Sequence, residues 1–475
     1  MRSLKIFALA TLLLASAYAA GREPDASSRM KGAFRKTAEN GWTFVHLEGT
    51  PAEIGYQHGA LLSAEILDAQ KVIAAELGHD NNKDWAFFRE AGRTVLWPHI
   101  EREYREELQG IADGVASKGG KLDIWDIVAL NAAVEWSYYV KFYDHAHHIK
   151  SPATTTAPDH CSAFAATGSY TKDGRVIIAH NNWTAYLDGS RWTMVFDIAP
   201  AKGYRFIMDG FPGLIHSADD FGINSSGIMI TETTISNFSG WDSNGIPEFV
   251  RARKAMQYSA SIDDFARIMK QGNNGGYAND WLIADRKTNE IASLELGLKN
   301  VTLERTKDGY FLGSNIPINP KLAREETDFP MMDKSTGQCT RHVRWEQLMK
   351  ENKGRIDVAA AQRFLGDHVD TLTGKTQPSE RTLCGHIELS GRGMGNWQPP
   401  YAPAGTVQNK VADAAMAERL SFTAAAGHAC GISFEARAHL REHPEFAWQK
   451  ELLRDLPASP WTSFAADRAP AAATR

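Results

Sequence analysis

The chain has 475 residues, 43% of them hydrophobic, and carries 52 Lys and Arg against 57 Asp and Glu for a formal net charge of −5. That is enough apolar material for two or three average domains, or one large domain with a helical annex, and it excludes general disorder. The faintly acidic balance excludes a broadly basic nucleic-acid surface.

Residues 1–20 read as an export leader. Arg2 and Lys5 precede an apolar run over 6–15, and Ala17-Tyr18-Ala19 offers small residues for cleavage. The run is too short for a spanning helix, and no other stretch of that length lacks charge. The expectation is an exported chain, periplasmic or secreted, with no membrane span.

Residues 21–160 form a mainly helical segment. Residues 41–49 alternate like a strand. Thr50-Pro51-Ala52-Glu53 then supplies an N-cap, a proline at the first helical position and an early acid. Further helical patterns cover 85–96, 100–116 and 122–143. His58 stands alone in the first helix and is read as structural. Asp144-His145-Ala146-His147-His148 gathers imidazoles, but its spacing matches no closed zinc pattern, so a solvated helix end is expected. A Thr-, Pro- and Ala-rich linker over 149–160 follows.

The stretch Asp159-His160-Cys161-Ser162-Ala163-Phe164 then opens what reads as a new domain over 161–475. Apolar runs at 161–167 and 175–181 flank a loop from Gly168 to Gly174, a hairpin signal. This register sets Cys161 opposite Asn181 with His180 beside it. A slip of one residue makes the neighbour His180, Asn181 or Asn182. Strands are expected at 192–198, 204–208 and 228–234, and helices at 247–258 and 262–270. A strand opening on Asn279 runs to 285 and returns through 295. Asp219 and Asp220 are a candidate carboxylate pair, although neighbours on a strand face opposite ways. Helices at 341–350 and 358–365 precede an irregular, Gly- and Pro-rich region from about 385. Short helices are expected at 434–440 and 448–453. Strand pairs around a helical pair give an α+β sandwich.

Four cysteines occur, Cys161, Cys339, Cys384 and Cys430, which an exported protein can pair in three ways. Cys161 is thus half of a disulfide or, at the start of a strand after a linker, an N-terminal nucleophile. A terminal cysteine needs no histidine base: its thiol attacks, and its α-amino group, with a pKa of about 7.7–8.0, takes the proton. The amine exists only if the His160–Cys161 bond is cut, and the same thiol is placed to attack the preceding carbonyl. Asn279 suits the stabilisation of an oxyanion, and Arg341 or Arg344 supplies a positive charge that lowers the thiol pKa. There is no G-x-S-x-G elbow, P-loop, dinucleotide fingerprint or H-E-x-x-H. No cofactor or metal is expected.

Several blocks in order resemble the self-processing N-terminal-nucleophile (Ntn) hydrolases, specifically the phospholipase B-like proteins and the related penicillin-forming acyltransferases. They are Gly55-Tyr56-Gln57-His58-Gly59, Asp126-Ile127-Val128-Ala129-Leu130-Asn131, Cys161-Ser162-Ala163-Phe164 and His180-Asn181-Asn182-Trp183. Phe211-Pro212-Gly213 through Asp219-Asp220-Phe221, Glu232-Thr233-Thr234 and Asn279-Asp280-Trp281 complete the set. The resemblance implies a four-layer α-β-β-α sandwich and self-cleavage between His160 and Cys161. It makes Cys161 nucleophile and base, and Asn279 the oxyanion-hole residue. His180 and Trp183 line the pocket, with Asp219 beside them, and Arg341 is the pocket arginine with Arg344 close behind. Phe164, Trp183 and Trp281 would favour an apolar acyl group, or equally belong to the core. In the last third, which departs from the family blocks, Cys384 and Cys430 are the choice for a structural bridge.

The expected activity is cleavage of an amide or ester acyl bond in a small molecule or lipid, with the two fragments staying associated. The alternatives are acyl transfer to an amine, a binding protein that keeps the fold without turnover, and a metal-dependent hydrolase using His145, His147 and His148.

Overall fold

The computed structural model describes residues 26–150, 161–219, 221–395 and 397–466. The leader over 1–20, His160, most of the 149–160 linker and Asp220 lie outside the described residues.

Two sheets stack face to face. The larger has nine strands in the spatial order Phe34–Arg35, Thr43–Gly49, Met194–Pro200, Phe206–Gly210, Gly222–Asn224, Ile228–Thr234, Asn279–Asp285, Glu290–Leu296 and Val301–Thr306. The smaller has six, in the order Gly309–Gly313, Ser162–Thr167, Ile177–Ala185, Ala404–Asp413, Ser421–Ala426 and Thr462–Ala465. Ala163, Ala165, Val195, Ile207, Met229 and Leu282 fill the layer between them. Outside the larger sheet lie the N-terminal helices together with Glu248–Tyr258 and Ile262–Lys270. Outside the smaller lie Gly337–Glu351 and Val358–Leu365. The fold is therefore α+β, layered α-β-β-α.

The N-terminal segment is not a separate annex. Its strand Thr43–Gly49 pairs in parallel with Met194–Pro200, beyond Cys161 in the chain. Helix Pro51–Leu61 starts as the sequence predicts, with Thr50 and Glu53 forming a reciprocal capping box. It lies backbone to backbone on Arg102–Ser117, and only glycine permits this: a Cβ at Gly59 would meet the carbonyl oxygen of Ile111 at 2.1 Å.

The region from about 385 is more regular than its composition suggests. Ala404–Asp413 is a central strand of the smaller sheet, paired on both sides, and Ser421–Ala426 continues it. Neither has the β-branched and aromatic content that marks a strand. The polar trio Gln408, Asn409 and Lys410 is fully buried. The expected tail helices are displaced, to Ala436–Glu442 and a 3-10 turn at Pro444–Gln449.

Candidate active site

Cys161 sits directly before the strand Ser162–Thr167 and is completely buried. The hairpin is present, but its register is one residue on from the first choice: Ser162 faces Asn181 and Ala163 faces His180. The neighbour of Cys161 is therefore Asn182, whose Oδ1 accepts from the thiol at 3.9 Å. Cys161 is in no disulfide.

Arg341 reaches it from helix Gly337–Glu351. One guanidinium nitrogen donates to the carbonyl oxygen of Cys161 at 2.5 Å and to Ser162 Oγ at 2.9 Å, and the other donates to Asn315 Oδ1 at 2.8 Å. The guanidinium carbon lies 4.5 Å from the centre of the Trp183 ring. Arg344, one turn on, turns away and pairs with Asp367 at 2.7 Å.

Cys161, His180 and Glu232 bring Sγ, a ring nitrogen and a carboxylate oxygen within 4.8 Å of one another. Burial, and then the charge of Lys410, hold His180 well below its usual pKa, so it is neutral. Asn279 opens the strand Asn279–Asp285. The end of its amide lies 3.0 Å from both Glu232 Oε2 and the Ala278 carbonyl oxygen, two acceptors that require the nitrogen there, and Tyr277 donates to Glu232 Oε1 at 3.1 Å. Glu232 stood in the Glu232-Thr233-Thr234 block without a role. The signal that finds it is tertiary, because its partners lie 45 or more residues away.

Asp219 belongs to a layer behind His180. Lys410 bonds both Asp209, at 2.9 Å, and Asp219, and Ser217 Oγ lies within hydrogen-bond distance of both carboxyl groups, 2.7 Å from Asp209 and 2.6 Å from Asp219. Its nearer oxygen is 3.9 Å from His180 Nδ1. Burial, reinforced by Asp209, pushes the Asp219 carboxyl well above its usual pKa. Asp219 therefore faces the polar network rather than a pocket wall.

Two of the aromatic residues leave the site. Phe164 alternates to the opposite face of its strand from Ala163 and packs on Trp345 in the helix-covered core. Trp281 packs on Phe265 in the core outside the larger sheet. Of the three, Trp183 alone stays, under Arg341. His58 accepts from the backbone of Gly213 at 2.9 Å, and Asn131 bonds Gly213 and Ile215, so these blocks brace one another. His145 and His147 lie at the exposed end of helix Trp136–Ala146, and the metal-capable groups among the described residues do not include them.

The profile of the phospholipase B family matches residues 69–459. The chain belongs to the phospholipase B family. Phospholipase B-like 1 of Homo sapiens is 24% identical over 281 residues, covering 53% of this chain and 49% of its own length. Phospholipase B of Crotalus adamanteus is 24% identical over 382 residues, 72% of this chain and 65% of its own. An uncharacterized protein of Archaeoglobus fulgidus is 27% identical over 263 residues, 53% of this chain and 42% of its own. The chain thus spans about half the length of several curated relatives in the family. Among solved structures, a mutant of the conjugated bile acid hydrolase from Clostridium perfringens aligns over 55% of this chain and 88% of its own, at 10% identity and a TM-score of 0.31. At that level the likeness carries no argument about the site.

Proposed function

We propose that this phospholipase B family chain is an exported, self-processing Ntn hydrolase that cleaves an amide or ester acyl bond through a Cys161 acyl-enzyme. The observation that carries this reading is the convergence on buried Cys161, immediately before a strand, of a guanidinium at its carbonyl oxygen, an asparagine amide oxygen at its thiol and a carboxylate close to that thiol. The family name supports an acyl substrate.

In the first step the Cys161 thiol attacks the carbonyl carbon of His160. The peptide C–N bond breaks, the nitrogen takes a proton and a thioester remains. Water hydrolyses the thioester, leaving the His160 carboxylate, a free thiol and the α-amine. In turnover that amine takes the thiol proton as sulfur attacks the substrate carbonyl. Asn279 donates to the oxyanion, the ammonium returns its proton to the leaving amine or alcohol, and water releases the acid. Arg341 holds the Cys161 carbonyl, fixing the new terminus. Glu232 is the acceptor for the α-ammonium, because a buried carboxylate beside a thiol would otherwise oppose thiolate formation. The parallel pairing of Thr43–Gly49 with Met194–Pro200 supports association of the fragments after cleavage.

The test is covalent trapping with an alkyne-tagged β-lactone, followed by peptide mapping. Label confined to Cys161 and absent from Cys161→Ala is expected. Equal labelling of Cys161→Ala would sink the acyl-enzyme.

A further inference from the structure

Cys384 and Cys430, the candidates for a bridge, are not bonded to each other. Instead they meet two histidines. His368, Cys384, His386 and Cys430 each bring one ligand atom into a cluster, all within 4.8 Å of one another. Cys384 Sγ lies 3.6 Å from His386 Nε2, and Cys430 Sγ lies 3.5 Å from the same nitrogen. A tetrahedral zinc ion, with bonds of about 2.3 Å to sulfur and about 2.0–2.1 Å to nitrogen, spaces its sulfur and nitrogen ligands about 3.6 Å apart. The two spacings match an edge of that tetrahedron.

The surroundings are those of a built site. His386 turns Nε2 to the two sulfurs, and its Nδ1 donates to Glu388 Oε1 at 2.8 Å, the carboxylate–histidine arrangement that orients a metal-bound imidazole. The hydroxyl of Tyr186 donates to the other Glu388 oxygen at 2.6 Å, so the carboxylate is itself held. His368 contributes a buried Nε2 with no hydrogen-bond partner outside the cluster. The segments that carry His368 and Cys384 are fastened together: Cys384 N–H donates to the carbonyl of Asp367, and Gln377 N–H to that of His368. Cys384, His386 and His428 are fully or almost fully buried, and the His386 and His428 rings stack at 4.0 Å.

We propose that His368, Cys384, His386 and Cys430 form a closed tetrahedral site for a structural divalent zinc ion. Each cysteine binds as thiolate, so loading releases its proton. Two thiolates and two imidazoles are the donor set that favours zinc over hard cations, and four protein ligands leave no open position for catalysis. The site staples three loops, after Val358–Leu365, before Ala404–Asp413 and after Ser421–Ala426. Gly385, between two of the ligands, packs against Trp183 so closely that a Cβ there would lie 2.2 Å from the indole ring. The staple thereby backs the wall on which Arg341 rests. This proposal is independent of the hydrolase reading, because it concerns different residues and a different readout. It replaces both the bridge and the absence of metal expected from the sequence.

The experiment is metal analysis of the full chain purified without chelator, alongside Cys384→Ser/Cys430→Ser and His368→Ala, with intact mass measured under denaturing, non-reducing conditions. One zinc per chain with all four thiols reduced is expected, together with loss of the metal in the double variant and a lower thermal midpoint on its removal. Protein purified empty is reduced and titrated with cobalt(II), which should give the thiolate-to-cobalt charge-transfer band of a tetrahedral site. His368→Ala, which removes one ligand and neither thiol, should weaken cobalt binding while keeping that band. A mass two hydrogens light with Cys384 joined to Cys430 would overturn the site. So would reduced protein that takes up no cobalt, or full metal retention in the double variant.

Discussion

Arg341 donates to the backbone carbonyl of Cys161 at 2.5 Å, across 180 residues of sequence. The same guanidinium also holds Ser162, Asn315 and the carbonyls of Ser314 and Gly337 while lying on Trp183. Lysine keeps the charge but not the planar fork. Arg341→Lys should therefore lose hydrogen bonds worth about 1.5–3 kcal/mol, which is roughly a tenfold to hundredfold fall in kcat/KM. Kinetics beside circular dichroism checks this, and activity within twofold of wild type would contradict the placement.

Asn279→Ala removes the proposed oxyanion donor. Loss of one such donor costs about 10²–10³ in kcat, so the fall should appear in kcat with KM little changed. Because Asn279 also faces Glu232 at 3.0 Å, the variant's urea midpoint is measured in parallel. A change confined to that midpoint would make Asn279 purely structural.

Lys410 is fully buried between Asp209 and Asp219. Burial alone disfavours its charge, but the two carboxylates hold its pKa above the usual value. Lys410→Met leaves buried carboxylates without their cation and should cost about 3–5 kcal/mol in urea unfolding. Glu418→Ala breaks a half-exposed pair with Arg175 and should cost under about 1 kcal/mol. Equal losses would contradict the network.

His46 Nδ1 bonds Asp197 at 2.7 Å, and Arg205 bonds the same carboxylate. In spite of burial, His46 and Arg205 hold Asp197 below its usual pKa, and Asp197 with Glu48 holds His46 above 6.5 against the opposing charge of Arg205. The Asp197 contribution is complete above its unfolded pKa and is lost as pH falls through the lower folded value. The His46 contribution is complete below its unfolded pKa and is lost as pH rises through the raised folded value. The stability advantage of wild type over Asp197→Asn should therefore peak at about pH 4–6.5 and shrink on either side. Urea unfolding across that range checks it, and a flat difference would contradict the pair.

What was legible in the sequence is what local chemistry decides. Thr50 and Glu53 announce a helix start, and the helix Ile262–Lys270 and the strands Ile228–Thr234 and Asn279–Asp285 have the predicted bounds. The hairpin at Cys161 was visible, but its register was not, because residues 177–183 are buried on both faces and give no alternation to fix it. Phe164 and Trp281 stayed open between pocket and core for the same reason: an aromatic on a strand buried on both faces belongs to either layer until the partner sheet is known. Ala404–Asp413 hid because its buried Gln408 and Lys410 bond Asp209 and Asp219, about 200 residues away, while Asn409 bonds the carbonyls of Ala425 and Gly427. Cys384 and Cys430 invited a bridge because His368 and His386 reach them only in the folded chain.

The most direct measurement is intact mass with N-terminal sequencing of the purified protein, beside Cys161→Ala. The account predicts two fragments held together under native conditions, the larger beginning Cys161-Ser162-Ala163, and a variant that stays uncut. A single uncut chain in both preparations would leave Cys161 without its amine base and contradict the Ntn mechanism.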